Sequence, residues 1–229
     1  MAMFIVKPWY RKAVNPDDYF DPVTHIATEE NFIKFLQCGV YDSKYIGYKV
    51  QLSNSASYNN GLWVIADVNH DSANTGQTNC YDLISLDCFD NTTTYGSGNH
   101  WRNSNIRTKL NGNFYSGFSN NFKSHILNIK YYSESAWYTD DKIIIPSWTE
   151  LTGGYSDTVE REGIKYPIFS DNNSRKKFGF GSNTYQTWWS RTRVTNYGTG
   201  YIWYVMSSGD GNFTSYSHSL YIAALFRVR

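Results

Sequence analysis

The sequence predicts an α+β domain. Three observations predict it. An apolar stretch of strand type, Leu62–Val68, stands in the first third of the chain. Helical patterns occupy the middle, and two or three glycine-separated strands close the tail. Strands at both ends with helices between them indicate α+β. With 229 residues and 41% apolar content, the chain is long enough for one large domain with its own core.

Residues 1–24 carry Pro8, Pro16 and Pro22 with Asp17, Asp18 and Asp21, which predicts an irregular arm or linker; residues 25–229 are expected to form the domain. Phe32, Ile33, Phe35 and Leu36 recur at helical spacing after Thr28, so Thr28 should cap a short helix that Gly39 ends. Tyr45–Leu52 alternates as a strand, and Tyr81–Phe89 reads as another. Asn103 or Ser104 should cap a helix with Ile106, Leu110, Phe114 and Phe118 on its apolar side. Ser119 should open a second helix bearing Phe122, Ile126, Leu127 and Ile129. A short buried strand at 141–145 precedes a helical turn from Pro146, stopped by Gly153 and Gly154. Residues 169–178 read as a polar, basic surface turn or helix. The tail strands are expected at 187–192, 201–207 and 220–228.

Composition excludes several function classes. A net charge of +1 gives no electrostatic footprint for nucleic acid. The densest basic run, Arg175-Lys176-Lys177, reads as a solvated face. No apolar run is long enough to span a bilayer, so no membrane insertion is expected. The first dozen residues lack the apolar run and cleavage site of a signal peptide, so synthesis and folding in a reducing cytoplasm are expected. Cys38, Cys80 and Cys88 are odd in number and unpatterned, and are expected as buried reduced thiols.

Chemistry-bearing patterns are sparse. Asp67-Val-Asn69-His70-Asp71 begins like a calcium loop, but Ser72 and Thr78 stand where glycine and glutamate are needed. A turn held by side-chain hydrogen bonds is expected there, with no metal and no cofactor. The five histidines fall in no nucleophile or zinc pattern. Asp140 and Asp141 are adjacent, so they diverge and make a poor acid–base pair. The chain is therefore expected not to be an enzyme.

The tail from Tyr185 onward points to binding. It holds six tyrosines and Trp188, Trp189 and Trp203, with serine, threonine and glycine between them, no lysine or glutamate, and one aspartate, Asp210. Tyrosine offers rigid contact area at low entropic cost, and small polar residues adapt their hydrogen bonds. The expected contact residues are Tyr185, Thr187, Ser190, Thr192, Thr195, Asn196, Tyr197, Tyr201, Trp203, Asn212, Thr214, Tyr216 and His218. Trp188 and Trp189 should point to opposite strand faces, either both as core or sheet-packing residues or with one in the core and one toward the site. Arg191 is expected to bond carbonyls or a carboxylate rather than a ligand. Val205, Met206, Ile222, Leu225 and Val228 are expected in the core.

An ordered set of motifs over residues 28–229 resembles one family. Trp101, Ser104, Ile106, Arg107, Leu110 and Asn111 resemble its "W-x-x-S-x-[IML]-R-x-x-[LM]-N" helix. Asp141-Lys142-Ile143, then Ser147 and Glu150, resemble its "DKIFLLS" strand and "S-x-x-E". Trp188-Trp189-Ser190-Arg191-Thr192 resembles "WWLRS", Tyr204–Gly209 resembles "YVNSDG", and Ala224–Val228 resembles "PALRV". Upstream, Ile65–Asp71 resembles "I-x-x-F/V-D-H-D". That family, from phages and Gram-positive bacteria, is similar to C-type-lectin-fold proteins and includes the variable proteins of diversity-generating retroelements. The resemblance implies two central helices on small antiparallel sheets, with C-terminal strands, about 183–229, carrying the binding surface. It implies a receptor-binding adhesin on a phage tail tip, hence a virion protein, that recognises a host cell-surface protein or glycan. Other tail or virion proteins would be joined through the N-terminal arm in a homo-oligomer, a trimer foremost. The other readings are a structural virion protein of the same fold without receptor binding, and a bacterial surface protein. Ser190 in place of leucine and Ala223 in place of proline depart from the pattern, which bears on diversification of the tail. The lectin fold's "E-P-N" and "W-N-D" motifs and tail carboxylates are missing, which argues against calcium-held sugar there.

Overall fold

A computed structural model describes residues 14–53, 61–154, 159, 161–179, 181–196 and 200–229, without the side chains of residues 90 and 91. The chain is α+β, built on two mixed sheets and a hairpin. The strands are β1 (Ile26–Thr28), β2 (Lys49–Gln51), β3 (Leu62–Val68), β4 (Tyr81–Ser85), β5 (Phe89–Thr94), β6 (Ile129–Ser133), β7 (Ala136–Asp141), β8 (Ile143–Ile144), β9 (Trp188–Arg193), β10 (Tyr201–Val205), β11 (Gly211–Ser215), β12 (Ser219–Ile222) and β13 (Leu225–Val228). The α-helices are α1 (Glu29–Gln37), α2 (Ser72–Thr75), α3 (Asn105–Lys109), α4 (Asn120–Lys123) and α5 (Trp148–Thr152).

The first sheet runs β1-β2-β3-β4-β13-β8 and the second β11-β10-β9-β12-β5; β6 and β7 pair with each other. The β1–β2 and β12–β9 pairs are parallel and the others antiparallel. The sheets are thus larger and less uniformly antiparallel than expected. The chain crosses between them at the fully buried Ala223 and Ala224. The expected single strand 220–228 is therefore two strands, one in each sheet. Tyr81–Phe89 is likewise divided between β4 and the start of β5.

Several elements follow from their sequence signals. Thr28 Oγ1 accepts the Asn31 N–H at 3.3 Å and caps α1, whose four expected apolar residues are all buried. Ser104 Oγ accepts the Arg107 N–H at 3.0 Å and caps α3. α3 runs on into a wide turn, Leu110–Phe114, and its predicted apolar face is buried through Phe118. Ser147 and Glu150 form a reciprocal capping box on α5.

Other elements are overridden by tertiary pairing. The helix predicted from Ser119 stops after one turn. Ile126 instead bridges Val228, and the Leu127 N–H donates to Arg227 O at 2.9 Å, so backbone needed for a longer helix is taken by β13. Tyr45 lies in a 3-10 turn, Ser43–Tyr45, because its hydroxyl reaches Asp17 Oδ1 at 2.7 Å. Residues 15–22 are not part of a free arm. Phe20 is buried and packs edge-on against Phe35 at 5.0 Å, so the domain begins before residue 24. Residues 1–13 of the expected arm lie outside the described residues.

Candidate functional site

The residues of the motif resemblance meet in a buried polar frame. Asp141 accepts from Trp101 Nε1 at 3.1 Å, from Arg107 Nε at 2.8 Å, and from the Tyr131 hydroxyl. Asn111 bonds the backbone of Lys142 and Ile143 through both ends of its amide. Arg191 grips Glu150 with two bonds of 2.6 and 2.7 Å and donates to Ile145 O at 2.8 Å. Arg227 forms the same fork on Asp82, at 2.6 and 2.8 Å. Burial opposes ionisation of Asp82, yet the Arg227 guanidinium outweighs it and holds the carboxyl below its ordinary value. Such pairs persist in the interior only when geometry and further hydrogen bonds offset desolvation. Both arginines serve the frame, as expected for Arg191.

The frame carries an aromatic ladder on one face of β10 and β11. Trp203 and Phe213 are cross-strand partners with ring centroids 5.5 Å apart, and Tyr201 meets Phe213 edge-on at 5.9 Å. Trp148, from α5, stacks on Trp203 at 5.2 Å. Gly211 makes this possible: an added Cβ there would lie 2.1 Å from the Trp148 ring. Tyr201 is exposed, and Trp148, Trp203 and Phe213 are half-buried. β11 is the edge strand, and Asn212 Oδ1 accepts the Phe213 N–H at 2.8 Å. This blunts the edge against added strands.

The expected contact residues do not form one patch. Tyr201 and Trp203 join the ladder. Asn212 and Thr214 pair with Tyr204 and Ile202 and so occupy the opposite face, where Thr214 Oγ1 meets His218 Nδ1 at 2.9 Å. Ser190 and Thr192 are corrected: both are fully buried. Ser190 donates to Trp203 O at 2.9 Å, and Thr192 Oγ1 accepts from Trp148 N at 2.8 Å and donates to Glu162. Trp188 and Trp189 are also fully buried, so both belong to the core and neither faces a site. Trp188 Nε1 donates to Arg175 O and Trp189 Nε1 to Thr93 O. Tyr185 is exposed but stacks on Phe178 at 4.5 Å, under Lys176. Thr187 and Thr195 are half-buried, and Asn196 is exposed with φ 59°. Tyr216 packs on the core edge beside Gly200. Tyr197 lies outside the described residues. Trp148 and Phe213 were missed by the reading of the sequence; alternation of Phe213 with Asn212 and Thr214 was the available signal.

The basic run is also corrected. Arg175 and Lys177 are buried, not solvated. Arg175 Nε donates to Gly209 O at 2.9 Å, and Lys177 Nζ to Ser85 O and Leu86 O. Burial pushes the Lys177 ammonium down to about 8. Cys80 and Cys88 are buried free thiols, raised by burial to about 11 and about 12, and Cys38 is half-buried and free. Asp67 and Asp71 hold the predicted turn: Asp67 binds the Val68 N–H and His70 Nδ1, both at 2.7 Å, and Asp71 accepts from Asn74 at 2.6 Å. Among the described residues, no helix is long and apolar enough to cross a membrane.

Residues 82–228 match the family described as "Domain of unknown function (DUF6273)". No curated protein and no solved structure matches the chain. The matched segment runs from Asp82 to Val228, the two strands joined by the Arg227–Asp82 fork, and the chain belongs to the DUF6273 family.

Proposed function

We propose that this chain is a non-catalytic recognition domain that docks a partner on the outer face of β10 and β11. The observation that carries the reading is the aromatic ladder, Trp148–Trp203–Phe213–Tyr201, displayed on β10 and β11; β10 pairs with β9, which the buried Arg191–Glu150 ion pair ties to α5. Rings on a rigid support are the usual anchors of a binding surface. The order of motifs supports the narrower proposal of a C-type-lectin-like adhesin of a phage tail tip, binding a protein or glycan on the host cell surface. The experiment is adsorption of the labelled, purified chain to intact Gram-positive cells. The double variant Tyr201→Ala, Trp203→Ala should lose adsorption at least about tenfold while its unfolding transition stays cooperative. Equal adsorption by the wild type and a well-folded double variant would end the proposal.

A further inference from the structure

Away from the ladder, a cleft of about 550 Å³ opens between the β6–β7 hairpin, α2 and residues 161–164. That volume suits a small ligand. One wall is aromatic: Tyr132 and Trp137 are cross-strand partners, with ring centroids 5.3 Å apart and Trp137 43% exposed. The opposite wall is polar. Asp71 Oδ1 is taken by Asn74, and Asp71 Oδ2 has no partner among the described residues. Behind this wall lies a second hollow of about 10 Å³, which shares Asp71, Tyr132 and Gly163 with the cleft. It is lined by His70, whose Nε2 is buried and without a hydrogen-bond partner.

The state of His70 follows from its neighbours. Asp67 Oδ2 lies 2.7 Å from Nδ1, which places a proton on Nδ1; in the neutral ring Nε2 is then an acceptor. The ring is held by stacking on Tyr166, at 3.6 Å, and Tyr166 in turn donates to Asp82. The unused groups, Asp71 Oδ2 and His70 Nε2, are therefore both acceptors and call for donors. Among the described lining residues Asp71 and Arg161 are the charged ones, and they differ in sign. A neutral molecule rich in hydroxyl donors, with one apolar face for an indole ring, fits this combination. The hollow admits one hydroxyl or one water, and no more.

We propose that this cleft is a saccharide site separate from the ladder, with a sugar ring stacked on Trp137 and hydroxyls donated to Asp71 Oδ2 and, directly or through one water, to His70 Nε2. The site does not depend on the function proposed for the ladder. The probes are glucose, galactose, N-acetylglucosamine and N-acetylgalactosamine, each at about 20 mM, enough to fill a site with Kd near 1 mM. The readout is the indole N–H resonance of each tryptophan, with Trp137 assigned by Trp137→Phe. At least one sugar should move Trp137 and leave Trp203 in place. Trp137→Ala, on the exposed wall, and Asp71→Asn, at the buried turn, should each weaken that sugar about tenfold, read from other cleft resonances, while the unfolding transition stays cooperative. Tyr201→Ala with Trp203→Ala should leave its affinity unchanged. No movement of Trp137 with any of the four sugars, movement of Trp203 alone, or full affinity in both cleft variants would overturn the proposal.

Discussion

The buried frame and the outer ladder use opposite parts of the amino-acid alphabet. Charges went inside: Arg191, Arg227, Glu150, Asp82 and Asp141 are buried, and each is paired. Rings went outside: Tyr201, Trp203 and Phe213 retain solvent contact on β10 and β11. The usual ordering of residues by burial is inverted in both regions. The contrast teaches that the shared motifs of this chain specify a scaffold. Arg191, two residues after the tryptophan pair, is the clearest case, because it spends every described bond on the fold. Under the function proposed above, recognition falls to residues between the motifs.

The sharpest way to break the comparison is to remove one frame charge. Arg191→Ala leaves Glu150 buried without its partner and should cost about 3–5 kcal/mol in urea unfolding, enough to abolish folding in a marginal domain. A loss below about 1 kcal/mol would mean the frame is not what holds the sheet. Lys177 gives the next largest effect. Its folded pKa of about 8 lies below the ordinary 10.5, so between those values the unfolded chain holds a proton that the folded chain has shed. Stability should therefore rise with pH across that window, by on the order of 3 kcal/mol, and the penalty is fully present below pH 8. Lys177→Met should flatten this slope relative to wild type. Gly211→Ala would push the Trp148 ring off its seat, costing about 2 kcal/mol and changing tryptophan emission as the ladder separates. Tyr201→Ala is the mildest for stability, within about 0.5 kcal/mol, yet it should weaken adsorption. A large fall in melting temperature for that variant would place Tyr201 with the frame and erase the distinction.

How much of this was legible depended on the range of the forces involved. The caps at Thr28 and Ser104 act over three residues and were readable to within one neighbour, whereas Ser147 was read only as part of a helical turn and not as its cap. The apolar faces of α1 and α3 were readable for the same reason. Ser119 was read correctly as a cap, but the helix end was not, because β13, a hundred residues away, takes the backbone at Ile126 and Leu127. The buried cations failed for a related reason. Arg175 and Lys177 look like any exposed basic run until Gly209 O, Ser85 O and Leu86 O are brought to them. In the candidate face, composition pointed to the tail but carried no sidedness. Asn212 and Thr214 were grouped with Tyr201 and Trp203, although the pleat sends them to opposite sides. Ser190 and Thr192 were taken as exposed because they are small and polar, whereas Glu162 and Trp203 O satisfy them inside. The cleft at Trp137 left almost no mark in the sequence, since β6 and β7 were not recognised as a hairpin.

The place of β13 has a consequence for synthesis. This strand lies between β4 and β8, and its partners Arg227 and Asp82 are separated by most of the chain. The first sheet cannot close while the ribosome still holds residues 225–228. Until then β4 shows an open edge, rich in apolar side chains, to any neighbouring nascent chain. Products of premature termination before Leu225 would keep that edge permanently. For such products the expected fate is aggregation or proteolysis, not a smaller version of the fold.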